Sequence, residues 1–250
     1  NEQERWTLIS NEIQSIGDKL KKVPNLLQRK TAFGSTPSAL IIPLEANIEK
    51  EPITVVCSEK GWIKTLRGHL DSPNDLKFKD GDSCRFFIHA STTDKLIVFA
   101  SNGRFYTIGC DKLPTGRGHG EPLRLMIELE SHHEFVNMFI YQGDRKMVVA
   151  SHTGRGFIIN ETDLIAQTKN GKQILNLNPQ DKGAAVIPIS NGHDSIAIIG
   201  TKRKLLIFNI DELPALARGK GVILQKYAHG SLSDITSLKL SEGLIWETSV

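Results

Sequence analysis

Short apolar runs separated by glycine-containing turns recur along most of the chain. In the clearest copy, an apolar run at 96–99 is followed by a polar turn at 101–103 and by a second apolar run at 105–108. Two apolar runs joined by a short glycine turn predict a β-hairpin. The turn centres fall near residues 60, 102, 153 and 202, with a further candidate near 242, so the pattern repeats about every 40 to 50 residues.

A repeat of this length is typical of a propeller blade built from four strands. Because a single hairpin cannot bury its apolar face alone, the copies must pack on one another. We therefore predict an all-β, propeller-like fold of roughly five blades, each a four-stranded antiparallel sheet. The further strands are expected in the apolar segments between the hairpins, at 84–90, 123–129, 173–177, 184–189 and 222–227.

The first 22 residues follow a helical pattern instead. Their apolar residues step by three and four, which predicts a short helix that ends before Pro24 and carries one narrow stripe. The stripe consists of Trp6, Ile9, Ile13, Ile16 and Leu20. It fits the seam of a two-helix contact with a partner outside this chain, or else it packs back on the β-domain.

The segment between the helix and the repeats is rich in glycine, serine and proline and has no sustained periodicity, which predicts a linker. The predicted domains are therefore a helix at 1–24, a linker at 25–50 and a β-domain at 51–250. We expect the last blade to be incomplete, because the sequence stops within a hairpin that begins near residue 235.

Positive charge is concentrated in the third and fourth repeats. The whole chain has a formal net charge of +3, whereas residues 145–226 contain twelve basic and six acidic residues. This asymmetry indicates a polyanionic partner. The three cysteines have no CxxC spacing, which argues against a zinc site or a disulfide framework and favours a cytoplasmic setting. No apolar run has the length of a membrane span, so we expect no membrane partner.

Each hairpin is followed by a basic, glycine-containing segment, which we call a box. Boxes 1 to 4 are residues 67–69, 117–120, 169–172 and 218–221. Glycine allows the backbone to turn tightly, so we expect the basic side chains to project toward solvent, where they can meet phosphates. The candidate DNA contacts in the boxes are Arg117, His119, Lys169, Lys172, Arg218 and Lys220. A second set lies at or beside the hairpin turns: Lys60, Lys64, Arg104, Arg155, Lys202, Arg203 and Lys204.

Patterns that suggest other chemistry are weaker. The glycines at 116, 118 and 120 do not fit a dinucleotide fingerprint, since a strand-like segment rather than a helix follows them. His132 and His133 are expected to point to opposite faces of a strand and to form a surface pair rather than a metal site. Three tyrosines lie in apolar patterns and are expected to pack: Tyr106, Tyr141 and Tyr227. We find no convergent set of histidines and carboxylates, so a propeller hydrolase or lyase is not favoured and no catalytic residue is assigned.

Three strings of the sequence resemble a known family. They are EPITVVCSEKGWIKTLRGH (51–69), LPTGRGHGEPL (113–123) and DELPALARGKG (211–221), and they are similar to the C-terminal domain of the A subunit of bacterial topoisomerase IV, the sister of gyrase A. The resemblance extends over 51–246 and implies a β-pinwheel whose rim binds and bends DNA. It also implies that residues 1–22 are the last helix of a coiled-coil arm. The gyrase box is rich in glutamine and arginine with two adjacent glycines, and its absence here favours the topoisomerase IV type.

The sequence therefore predicts a non-catalytic domain that binds double-stranded DNA through salt-sensitive phosphate contacts. The resemblance implies that it positions a DNA segment for ATP-dependent strand passage, with the Mg²⁺ and ATP sites in other domains and no cofactor here. The implied partners are the B subunit of topoisomerase IV, the rest of its A subunit, and a chromosome-condensation protein near the nucleoid, with no small-molecule substrate. The alternative is a protein-interaction propeller that docks a chromosome-organising partner or the enzyme core.

Overall fold

The computed structural model describes residues 1–23, 49–74, 76–116 and 118–244. The chain divides into two compact units, residues 1–43 and 44–250. In the first unit, helix α1 spans Glu2–Lys21, with acidic residues in its first turn and basic residues in its last, as the helix dipole favours. The predicted helix is confirmed, and its apolar stripe is exposed, Trp6 by 66%. The predicted linker lies almost wholly outside the described residues.

The described helices include none that is both long and apolar enough to span a lipid bilayer.

In the second unit, the described residues form fifteen strands in four antiparallel sheets. The strands are β1 Pro52–Ser58, β2 Trp62–Arg67, β3 Cys84–Ser91, β4 Lys95–Ala100, β5 Arg104–Gly109, β6 Glu121–Pro122, β7 Phe135–Ile140, β8 Lys146–Ser151, β9 Arg155–Asn160, β10 Lys172–Gln173, β11 Gly183–Pro188, β12 Ser195–Gly200, β13 Leu205–Asn209, β14 Val222–Ile223 and β15 Leu232–Leu238. The strand orders are β3-β1-β2-β6, β7-β4-β5-β10, β11-β8-β9-β14 and β15-β12-β13. We call these sheets 1 to 4.

Each of sheets 1 to 3 takes its fourth strand from the next repeat. The hairpin supplies two strands, a later segment of the same repeat supplies the third, and the residues at or directly after the end of the following box supply a two-residue fourth strand. In sheet 2, for example, Lys172 and Gln173 pair with Phe105 and Arg104. The predicted four-stranded antiparallel sheets are therefore confirmed, and the repeats are linked by exchanged strands.

The predicted strand at 123–129 is wrong. This segment contains a single 3-10 turn at Leu123–Leu125, and the third strand of sheet 2 is Phe135–Ile140. The predicted strands at 173–177 and 222–227 shorten to the two-residue strands β10 and β14. Their apolar character has a different cause, because Leu123, Ile174 and Leu224 each anchor the chain in the core just beyond a box.

The core lies between successive sheets, and a central strand contributes to two layers of it. In β4, Leu96 and Val98 pack in the layer between sheets 1 and 2, while Ile97 and Phe99 pack in the layer between sheets 2 and 3. Adjacent side chains of a strand point to opposite faces, so a strand that is covered on both faces reads as a continuous apolar run. This explains why the hairpins are apolar without alternation.

The two edges of the sheets have different neighbours. Third strands of consecutive sheets contact each other. For example, the side-chain amide of Asn137 in β7 donates to the Val186 carbonyl oxygen in β11 at 2.8 Å. The fourth strands lie at the opposite edge, which we call the box edge. In the described part of sheet 4, β13 has no strand on this edge, and Leu205 is 42% exposed.

The region of the predicted fifth repeat belongs in part to sheet 4. Strand β15 contains Ile235 and Leu238 and pairs with β12 as the third strand of that sheet. A 3-10 turn at Leu240–Glu242 follows it. The remaining apolar residues of the expected hairpin, Ile245 and Trp246, lie outside the described residues.

Candidate nucleic-acid interface

A left-handed glycine fixes the end of each of boxes 2, 3 and 4 against the preceding sheet. Gly171 has φ +68°, and a Cβ there would lie 2.7 Å from the Phe105 carbonyl oxygen in β5. Gly120 and Gly221 occupy the same position, with φ of +84° and +67°, and a Cβ on either would collide with a β2 or β9 carbonyl. Only glycine adopts this conformation without strain and allows so close an approach. The boxes are therefore held in equivalent places on three successive sheets.

Consecutive boxes are joined through the backbone. The Glu128 amide, in the segment after box 2, donates to the Lys169 carbonyl oxygen in box 3 at 2.9 Å. In the same way, the Asn176 amide, in the segment after box 3, donates to the Gly219 carbonyl oxygen in box 4 at 2.8 Å. Boxes 2, 3 and 4 are therefore linked in series along the box edge.

The described basic side chains of boxes 2 to 4 are exposed: His119, Lys169, Lys172, Arg218 and Lys220. The Lys172 ammonium donates to the Asp163 carbonyl oxygen at 2.5 Å. Arg117, the remaining box residue predicted to contact DNA, lies outside the described residues.

Two asparagines that the sequence analysis did not identify support box 4. The Lys220 ammonium donates to Asn178 Oδ1 at 2.9 Å, and Arg218 Nε donates to Asn176 Oδ1 at 3.4 Å. The N-x-N spacing is the signal that could have identified them, because residues two apart in an extended chain face the same side.

Box 1 departs from the pattern. Gly68 is left-handed at φ +79°, but a Cβ there would meet no atom within 4 Å. His69 and His89 stack with ring centroids 4.6 Å apart, and each bonds a backbone carbonyl, of Ala90 and Leu70 respectively. Box 1 therefore packs against the third strand of its own sheet.

Four of the predicted turn residues are exposed: Lys60, Lys202, Arg203 and Lys204. The Lys60 ammonium donates to the Asp80 carbonyl oxygen at 3.1 Å. Arg203 is left-handed, with φ +60°, at the turn position where the other hairpins have Gly61, Gly103 and Gly154. An arginine is thus held in a conformation that costs a non-glycine residue about 1 kcal/mol or more.

The expectation that Lys64 faces solvent at a turn is wrong. Lys64 is only 3% exposed, and its ammonium donates to the Lys77 and Gly118 carbonyl oxygens at 3.2 and 3.0 Å. Burial lowers the pKa of this ammonium. The equivalent positions in β5 and β9 are the buried Tyr106 and Phe157, so Lys64 occupies a core position of the hairpin.

Arg104 and Arg155 are half-buried and face the next box rather than open solvent. Arg104 Nε donates to Gln173 Oε1 at 3.0 Å, and its Nη1 donates to the Asn170 carbonyl oxygen at 2.8 Å. Arg155 occupies the same position in sheet 3, and its Nη1 donates to the Gly221 carbonyl oxygen at 3.2 Å. Both arginines therefore connect a hairpin to the box that lies on it.

The predicted basic residues are not neutralised by direct ion pairs in the described part of the chain. Over 1–23, 49–74, 76–116 and 118–244, no carboxylate oxygen lies within 4.0 Å of a charged nitrogen of these side chains. With twelve basic and six acidic residues at 145–226, boxes 3 and 4 lie in the most positive part of the sequence. Such a surface can attract a phosphate backbone.

His132 and His133 lie in a turn rather than a strand, which corrects their expected opposite orientation. Their ring centroids are 4.0 Å apart, and His132 Nε2 lies 3.3 Å from Glu130 Oε2. Burial and the neighbouring His132 lower the pKa of His133. The ligand atoms of these three residues lie within 4.8 Å of one another, but Glu130 and His132 are exposed.

Tyr106 is fully buried, while Tyr141 and Tyr227 are half-buried against the layers that flank sheet 3. The prediction that the three tyrosines pack is confirmed.

Three segments of the chain match the family model described as the DNA gyrase C-terminal domain, beta-propeller. The matched residues are 94–140, 145–190 and 194–238. Each match covers one hairpin and its third strand, so the family pattern coincides with the repeats of sheets 2, 3 and 4.

Similar proteins include several topoisomerase subunits. The A subunit of DNA topoisomerase 4 from Caulobacter vibrioides is 41% identical over 255 residues, which cover 98% of this chain and 33% of that protein. Its counterpart from Rickettsia felis is 38% identical over 250 residues, covering 100% and 34%. The chain thus spans about one third of the length of these curated relatives.

Solved structures share the architecture. The E. coli ParC C-terminal domain superposes with a TM-score of 0.69 at 29% identity, covering 75% of this chain and 80% of that one. The crystal structure of the C-terminal domain of DNA topoisomerase IV gives a TM-score of 0.66 at 17% identity, covering 76% and 62%, and shares the fold.

Proposed function

Because the chain belongs to the family of C-terminal β-pinwheel domains found in gyrase A and in the A subunit of topoisomerase IV, we propose that it is a non-catalytic domain that binds and bends duplex DNA. The contact surface in this proposal is the box edge. Its central residues are His119, Lys169, Lys172, Arg218 and Lys220, with exposed support from the turn residues Lys60, Lys202, Arg203 and Lys204.

One observation carries the proposal: exposed basic side chains without direct carboxylate partners lie on boxes 3 and 4, each of which is bonded to the segment that follows the preceding box. Each lysine or arginine that neutralises a phosphate releases condensed counterions, so affinity falls steeply with salt and depends little on sequence. Curving the duplex along successive boxes costs about 1 to 6 kcal/mol, which is offset by the additional phosphate contacts that the curve allows.

In the whole protein, this domain would hold a DNA segment for ATP-dependent strand passage, as in decatenation and relaxation of supercoils. We propose three partners in the bacterial cytoplasm at the nucleoid: the rest of the A subunit, the topoisomerase IV B subunit, and a chromosome-condensation protein. The Mg²⁺ and ATP that strand passage requires would act in other domains of the assembly.

A fluorescence-anisotropy titration with a 30-base-pair duplex at several salt concentrations tests the proposal. We expect substitution of Lys169, Lys172 and Lys220 by glutamine to reduce the slope of log affinity against log salt by about 2 to 3, since each phosphate contact contributes about 0.9. Glutamine at Lys95, Lys146 and Lys182 makes the same change in net charge away from the boxes and serves as the control. Equal losses in the two triple variants, or no binding by the wild type at low salt, would contradict the proposal.

The charge of the first repeats favours a second function for that part of the domain. Residues 52–144 contain eleven basic and twelve acidic residues, and box 1 packs on its own sheet. A contact with a chromosome-organising protein or with the enzyme core would suit this near-neutral surface. Charge reversal at Arg218 and Lys220 separates the two functions, because it should remove DNA binding and leave such a protein contact intact.

A further inference from the structure

In three successive sheets, a basic side chain of the hairpin donates a hydrogen bond to a backbone carbonyl of the next box. Lys64 donates to Gly118, Arg104 donates to Asn170 and Arg155 donates to Gly221, at 3.0, 2.8 and 3.2 Å. Arg104 and Arg155 are equivalent, each being the first residue of the second hairpin strand. In sheet 1 that position is taken by Trp62, which packs under Lys79, and Lys64 makes the contact from two residues further along β2.

In boxes 3 and 4, several carbonyl groups accept hydrogen bonds from the rest of the domain, while two amide groups of each box donate none within the described ranges. In box 3, the carbonyl oxygens of Lys169 and Asn170 accept bonds from Glu128 N and Arg104 Nη1, and the carbonyl oxygen of Thr168, directly before the box, accepts a bond from Gly171 N. The amides of Lys169 and Asn170 donate to no group in the part of the chain that the structure describes.

Box 4 repeats this arrangement. The carbonyl oxygens of Gly219 and Gly221 accept bonds from Asn176 N and Arg155 Nη1. Within the described ranges, the amides of Arg218 and Lys220 donate no hydrogen bond. Both boxes therefore present backbone amides that are not bonded within the described ranges.

The kind of backbone group that faces the ligand determines which class of ligand is attracted. A carbonyl oxygen that faces a phosphate repels it, whereas free backbone amides in a glycine-rich turn attract anions. A cation that holds the carbonyl toward the sheet removes the repulsive group from the contact surface. The carbonyl would otherwise bind water. The cation replaces that water and forms a charge-assisted hydrogen bond with the carbonyl oxygen.

We propose that Lys64, Arg104 and Arg155 are positioning residues, which hold the box carbonyls toward the sheets so that free amides and box side chains face a phosphodiester backbone. This inference rests on the proposed DNA-binding function and changes the role of the three residues from direct contacts to supports. Lys64 cannot itself reach a phosphate in this fold, because it is 3% exposed and both its acceptors are carbonyls.

A double-mutant cycle distinguishes positioning from direct contact. We expect Arg104→Gln to weaken duplex binding by about tenfold, the value of a charge-assisted hydrogen bond. If Arg104 positions box 3, then adding Lys169→Gln and Lys172→Gln should cost much less in the Arg104→Gln background than in the wild type. The same cycle with Lys220→Gln in box 4 is the control and should be additive, since the sites share no partner.

Hydrogen exchange of the free protein tests the support without DNA. In wild type, the amides of Gly171 and Ile174 donate to the Thr168 and Gly103 carbonyl oxygens. We expect Arg104→Gln to accelerate their exchange at least tenfold, while Leu224 beyond box 4 keeps its rate and the unfolding midpoint in urea changes little.

The outcomes separate the two proposals. The positioning role would be overturned if exchange at Gly171 and Ile174 is unchanged and if the free-energy losses of Arg104→Gln and of the box 3 substitutions add. DNA binding by the boxes would remain supported in that case. A wild-type domain that binds no duplex at low salt would overturn the proposed function and this inference with it. Faster exchange at Gly171 and Ile174, together with coupling of Arg104→Gln to Lys169→Gln and Lys172→Gln but not to Lys220→Gln, supports both the positioning role and the proposed function.

Discussion

Glu161, which is fully buried, forms a two-point ion pair with Arg145, with Nη2 to Oε1 at 2.6 Å and Nε to Oε2 at 3.1 Å. The same carboxylate accepts bonds from the amides of Gln142 and Gly143 at 3.2 and 3.1 Å. The pair closes the open end of hairpin β8–β9, because Arg145 directly precedes β8 and Glu161 directly follows β9.

We predict that Arg145→Met, which leaves this carboxylate buried without its partner, lowers the free energy of unfolding by about 3 to 5 kcal/mol. The double variant Arg145→Met with Glu161→Leu should lose much less, because a neutral pair leaves no buried charge. Urea unfolding followed by circular dichroism measures both. A double variant as unstable as Arg145→Met alone would contradict the argument.

Gly171, the left-handed glycine of box 3, is predicted to be important for stability. Gly171→Ala places a Cβ 2.7 Å from the Phe105 carbonyl oxygen in a left-handed conformation, so we expect a loss of about 1 to 3 kcal/mol. Gly118→Ala in box 2 is the matched control, since a Cβ there meets nothing within 4 Å and its φ is not left-handed. The comparison uses urea midpoints, and an equal loss in the two variants would show that the box backbone is not held as described.

Arg203 is predicted to lower the stability of the domain and to strengthen its binding to DNA. Replacing this left-handed residue, φ +60°, by glycine should raise the free energy of unfolding by about 0.5 to 1 kcal/mol and weaken duplex binding several-fold. Lys202→Gly, at a neighbouring exposed turn position without a positive φ, should weaken binding without a gain in stability. A stability loss in Arg203→Gly would contradict the strain argument.

The two buried cysteines, Cys57 and Cys110, are predicted to be inert in the folded domain. Burial raises the pKa of Cys57 and Cys110 to about 12, so at pH 8 only about one thiol in ten thousand is ionised. Iodoacetamide at pH 8 should therefore leave both unmodified in the native protein and label both in urea. Because the folded-state pKa lies above the unfolded value near 9, these thiols also make stability fall as pH rises from about 9 to 12. Rapid native labelling of Cys57 would contradict its burial.

The hairpins could be predicted from the sequence because their signals are local: an apolar run, a glycine turn and a second run within about 15 residues. The fourth strands could not be predicted. Lys172–Gln173 and Val222–Ile223 are two residues long, polar in one case and apolar in the other, and each pairs with a strand of the preceding repeat. No periodicity can arise in two residues, so their assignment requires the tertiary structure.

The site shows the same division. Exposed lysines in a glycine-rich box are expected from composition, and Lys169 and Lys220 lie as predicted on exposed loops. The burial of Lys64 could not be predicted, because β2 is buried on both faces and so has no apolar–polar alternation that would show which side chains face inward. The roles of Arg104 and Arg155 depend on carbonyls about 66 residues further along the chain, and no local pattern encodes such a contact.

The exchange of fourth strands has a mechanical consequence. Because box and strand are adjacent pieces of one backbone, a pull on DNA held at box 3 would load the β10–β5 ladder and so reach sheet 2 as shear along its edge. Tension on a bound nucleic acid would therefore be shared between two neighbouring repeats.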